Sequence, residues 1–133
     1  MARFSRRVVI VAGFIIGLGI WLIPAGFMNV FEPWDGNGPA YPLVLLITGL
    51  LLGFLGPSRP AAAVMGVFLG QLAMLLWRVA TSPENSELWL VGIVVLAGYT
   101  SVATGIGAVL GSRLRRWLAP EPGVERRVAD RRL

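Results

Sequence analysis

The chain has little with which to do chemistry. It holds no cysteine, histidine or lysine, so thiolate and imidazole catalysis, Schiff bases and the common zinc sites are all excluded by composition. Its seven carboxylates fall outside the apolar stretches: Glu32, Asp35, Glu84 and Glu87 in two turn-rich segments, and Glu121, Glu125 and Asp130 near the C-terminus. The first four offer a cation-attracting rim or an acid pair, but no second group completes a catalytic constellation with them. No catalytic, cofactor-binding or metal-ligating residue is therefore assigned, and the chain reads as a non-enzyme.

A second group is small, neutral and more telling. Thr48, Gln71, Tyr99, Thr100 and Thr104 interrupt otherwise apolar sequence, with Ser101 among them. Counted at ~1.5 Å per residue from the ends of their segments, they fall at similar depth and form one polar layer. Such a layer is either interhelical hydrogen bonding or the lining of a narrow path for a neutral or weakly charged solute. Because it is charge-free, it argues against proton coupling.

The elements that must position these groups are four apolar stretches, at about 8–27, 40–56, 60–77 and 88–111. Each has the ~17 to 25 residues that cross a hydrocarbon core as a helix. With 56% hydrophobic and 14% charged residues, the 133-residue chain departs from the balance of a soluble domain. The fold expected is an all-α integral membrane protein, four transmembrane helices in an antiparallel bundle. Its parts are a basic N-terminus (1–7), the helical domain (8–117) and a mobile tail (118–133).

Each stretch carries a Gly-x-x-x-Gly pair: Gly13/Gly17, Gly49/Gly53, Gly66/Gly70 and Gly107/Gly111. This spacing sets both glycines on one helix face and lets a neighbouring backbone approach closely. Spacing alone leaves open whether those faces meet within one chain or between copies. The fourth stretch offers a second small face at Ala97, Ser101, Gly105 and Ala108. Pro57-Ser58-Arg59 is so short a connection that the second and third stretches are expected to be side-by-side neighbours. There is also a faint internal repeat: Gly13-Phe14-Ile15-Ile16-Gly17 resembles Gly66-Val67-Phe68-Leu69-Gly70.

Orientation follows from arginine. Arg3, Arg6, Arg7, Arg59, Arg113, Arg115 and Arg116 flank one side and Arg78 the other, so both termini are expected in the cytoplasm of a bacterial plasma membrane. Trp34, Tyr41, Trp77 and Trp89 would then form an outer aromatic belt, with Phe4 and Trp117 inside. The basic balance reads as topology, not as a nucleic-acid footprint. A signal-peptide reading of the first stretch fails on its length and on the lack of an Ala-x-Ala site after Ile23-Pro24-Ala25-Gly26.

In general outline the chain resembles small four-span bacterial membrane proteins. The polar signatures of small fluoride channels and the membrane glutamate of small multidrug exporters are both missing. The leading expectation is a structural or accessory subunit of a membrane complex or transport system, its partners being the bilayer and either other subunits or further copies of itself. The alternatives are a small homo-oligomeric channel or carrier and, last, a lipid-modifying enzyme.

Overall fold

The computed structural model describes residues 5–27, 39–56, 60–81 and 89–118. Those residues form four helices and no strand: α1 (Arg6–Phe27), α2 (Ala40–Leu55), α3 (Ala61–Thr81) and α4 (Trp89–Leu118). Two of them, α3 and α4, are long and apolar enough to cross a membrane, and α2 is a shorter apolar helix of 16 residues. Trp34, the four acids of the turn-rich segments, the 57–59 connection and the residues after Leu118 lie outside the described residues.

Local chemistry sets the helix ends. Ser5 Oγ accepts the Val8 N–H at 3.4 Å, a cap on the first turn of α1. Pro60 precedes α3, and its carbonyl accepts the N–H groups of Ala63 and Val64. Gly56 N–H closes α2 on Leu52 O at 2.8 Å, and Gly56 then turns to extended backbone, as the residue before a proline prefers. In α3, Thr81 Oγ1 bonds the Trp77 carbonyl at 3.0 Å within the last turn.

The glycine pairs decide which helices meet. An added Cβ at Gly13 would lie 3.1 Å from Gly66 Cα, and one at Gly70 3.0 Å from Gly17 Cα, so α1 and α3 cross in parallel with their glycines face to face. The register survives exchange of the two helices: Gly70 abuts Phe14 and Leu18, while Gly17 abuts Val67 and Gln71, each 53 residues on. The faint repeat is thus two copies of one packing motif laid against each other. In the second crossing Gly49 and Gly53 lie on the backbones of Thr104 and Ala108, and Gly107 and Gly111 on those of Leu46 and Leu50. That pair, α2 with α4, is parallel as well.

Consecutive helices are antiparallel. Val9, near the start of α1, meets Gly56 at the end of α2, and Val64 of α3 lies near Gly105 of α4, one helix running opposite to the other. The two parallel crossings sit side by side, with α3 against α4. Helices α2 and α3 face each other across the bundle instead of packing side by side, contrary to the expectation drawn from their short connection. The physical reason is that a close crossing needs two matched small faces, whereas the chain from Gly56 to Pro60 spans ~13 Å when extended and tolerates a diagonal placement.

Helix α4 differs from its expected extent at both its middle and its end. Thr100–Thr104 form a π-helical turn, and the helix runs to Leu118 instead of ending near Gly111. Hydroxyl-bearing and β-branched residues through the turn (Thr100, Ser101, Val102, Thr104) weaken the regular ladder by crowding and by competing for carbonyls. The extension past Gly111 is rich in arginine and leucine, which are good helix formers.

Candidate functional site

The polar layer links three helices. Gln71, fully buried in α3, donates from Nε2 to Thr100 Oγ1 at 3.2 Å, and Tyr41 of α2 donates its hydroxyl to Gln71 Oε1 at 2.5 Å. A phenol, an amide and a hydroxyl from three helices thereby form a chain of hydrogen bonds in which Gln71 accepts from one neighbour and donates to the other. This chain of bonds spans the seam between the two glycine crossings, since Gln71 belongs to one and Tyr41 and Thr100 to the other.

The remaining members of the predicted layer are placed differently. Thr48 is buried in α2 beside Gly49, and Thr104 is buried at the end of the π-turn. Thr104 Oγ1 has no hydrogen-bond partner among the described residues. Tyr99 is 44% exposed and lies on the rim, its ring set edge-on to Tyr41 with centroids 5.6 Å apart. Of the second small face of α4, Ser101 alone is exposed; Ala97 and Gly105 are half-buried, Gly105 near Val64, and Ala108 is buried against Gly53.

Tyr41 is the residue sequence reasoning missed. An outer aromatic belt was its expected place, yet only 6% of it is exposed. The signal was present in its spacing: Tyr41, Leu45, Thr48 and Leu52 recur at helical intervals and all are buried on one face of α2. The other expected belt members described, Trp77 and Trp89, do lie at the surface. Trp21 is buried, and the Arg78 guanidinium stacks 5.3 Å from its ring, a cation–π contact that ties the far end of α3 to α1.

At the opposite end Arg115 takes a structural role. Its guanidinium donates to the carbonyls of Gly56 and Phe54, placing a positive charge at the C-terminus of α2, where the helix dipole is negative. A shallow apolar groove of about 420 Å³ runs along Pro42, Val95, Gly98, Tyr99, Val102 and Ala103. No group of three or more metal-ligating side chains occurs among the described residues.

Comparison with protein families, with curated proteins and with solved structures finds no match to this chain. The reading of function therefore rests on the arrangement just described.

Proposed function

We propose that the chain is a four-span integral protein of a bacterial plasma membrane, with both termini in the cytoplasm. In this reading it is a non-enzymatic structural or accessory subunit of a larger membrane complex or transport system. The membrane part is supported by the outward faces. Val11, Ile15, Leu22, Ile47, Leu51, Val94 and Val102 are all more than half exposed, and no carboxylate lies among the described residues. The most apolar windows of α3 and α4 are only 39% and 33% buried, unlike a soluble core helix. Helix α2, at ~24 Å, is short for the hydrocarbon core, a mismatch that thinning or flanking anchors absorb at modest cost.

The subunit role is carried by one observation: all four glycine faces are turned inward, where Tyr41, Gln71 and Thr100 bond one another across three helices. Interior chemistry is thus spent on cohesion. What remains for function is the outer surface and the two ends, the parts available to a partner. Native mass spectrometry of the tagged protein released from membranes in lipid nanodiscs tests this. One copy with stoichiometric partner subunits is the expected result; a homo-oligomer alone would sink it.

A channel or carrier is the second reading, favoured by the unpartnered Thr104 hydroxyl beside a π-turn, since such turns recur at functional sites. Vesicles carrying the protein should show no flux of ions, small polyols or amino acids on the subunit reading. Flux abolished by Gln71→Leu would establish the carrier instead.

A further inference from the structure

One end of the bundle concentrates positive charge beyond what the fold uses. Val9, Gly56 and Arg115 meet there, which brings the start of α1 and the ends of α2 and α4 to one level. Five described arginines belong to this end (Arg6, Arg7, Arg113, Arg115 and Arg116), and no described residue is a carboxylate. Arg115 is engaged by the α2 carbonyls, whereas Arg113 and Arg116 are exposed and three residues apart, hence neighbours on the helix surface; Arg116 donates from Nε to the Ser112 carbonyl at 3.4 Å, which leaves its two terminal nitrogens for a ligand.

The face of α4 that carries them has a graded character. Ile106, Leu110, Arg113 and Trp117 follow one another at intervals of four, three and four residues in regular α-helix, so they form a single stripe. Ile106 is 50%, Leu110 47% and Trp117 89% exposed. The stripe therefore runs from an open apolar ridge, through the Arg113 guanidinium with Arg116 flanking it, to an amphipathic ring. A diacyl phospholipid has the same order of chemistry: chains, phosphate, headgroup region. Guanidinium forks match phosphate geometry, and indole rings settle at headgroup level.

We propose that this stripe is a seat for an anionic phospholipid, its phosphate held by Arg113 and Arg116 and an acyl chain lying along Leu110 and Ile106. The proposal rests on the membrane reading above but not on the subunit role. An arginine near an anionic membrane surface contributes ~1 kcal/mol, about fivefold in affinity, so removing both should cost about 25-fold.

The test is native mass spectrometry of the full chain in neutral detergent, titrated with phosphatidylglycerol or with phosphatidylcholine of the same chains. Wild type should retain phosphatidylglycerol preferentially. Arg113→Gln/Arg116→Gln should lose that preference by about 25-fold, while Arg78→Gln, at the other end, keeps it. Matched melting of the variants confirms that the Arg115 contact persists. Equal retention of the two lipids, an unaffected double variant, or displacement by inorganic phosphate at equal concentration would each overturn the seat. Absence of partner subunits would sink the subunit role and leave this result standing.

Discussion

Replacing Gly107 by alanine adds one methyl group where the two backbones leave no room for it. The added Cβ would fall 2.8 Å from Leu50 N and 3.0 Å from Leu46 C, and closer still to Leu46 O. All three are backbone atoms, so no side chain can swing aside and α2 must move away from α4. Overpacking of this kind costs about 1 to 3 kcal/mol. Against it stands the helix preference of alanine over glycine, at most about 1 kcal/mol. The net expectation is a destabilisation of about 1 kcal/mol for Gly107→Ala, growing well beyond that for Gly107→Leu. Gly98 supplies the control within the same helix, because nothing lies within 4 Å of a Cβ added there. Gly98→Ala should be neutral or stabilising. Thermal unfolding of both variants and wild type in one detergent gives the order Gly98→Ala at or above wild type, and Gly107→Ala below it by a few degrees. If Gly107→Ala melts as high as Gly98→Ala, the α2–α4 crossing is not close and the reasoning fails.

Two further perturbations address the polar chain and the cap. Gln71→Leu leaves the Tyr41 hydroxyl without its acceptor in a buried setting and should cost about 1 kcal/mol, whereas Tyr41→Phe, which removes the Tyr41–Gln71 bond together with its donor, should cost about half that; a double-mutant cycle by denaturant titration should return a coupling above about 0.5 kcal/mol, near the average membrane value, and additive losses would show that the Tyr41–Gln71 bond is not coupled. Arg115→Gln withdraws the charge from the α2 carbonyls and should lower stability by about 0.5 to 1 kcal/mol, with Arg115→Lys recovering part of it; no change in melting for the glutamine variant would show the contact to be idle.

The glycine faces were legible because a four-residue spacing fixes both members to one side of a helix whatever the tertiary context. Their partners were not, since nothing local says that Gly13 meets Gly66 instead of a glycine on α2. Chain connectivity misled here: Pro57 to Arg59 is short enough to suggest a side-by-side hairpin, but matched small faces override it and send α2 to α4. That Gln71 would bond to another member of the layer followed from depth and from the cost of a lone amide in apolar surroundings, but depth alone did not separate Thr100 from Tyr99 and Thr104. Tyr41 escaped because its nearness to the end of a stretch suggested an interface ring, while its phase with Leu45, Thr48 and Leu52 pointed inward. The π-turn has no local signature beyond a run of hydroxyl and β-branched residues. Arg115 was counted for topology, and its second role as a cap on α2 depends on two helix ends meeting 59 residues apart in sequence.

The central claim is that this bundle spans a membrane four times with Gly56 and the arginine-rich end facing the cytoplasm. A chain without cysteine permits a direct measurement. Single cysteines at Asn37, Ser58 and Asn85, expressed in intact bacterial cells, are exposed to a membrane-impermeant maleimide and then counted after lysis. Labelling of the Asn37 and Asn85 variants from outside, with Ser58 labelled only after lysis, is the predicted result. Labelling of Ser58 from outside with the other two protected would reverse the orientation, and labelling of all three only after lysis would contradict the four-span account itself.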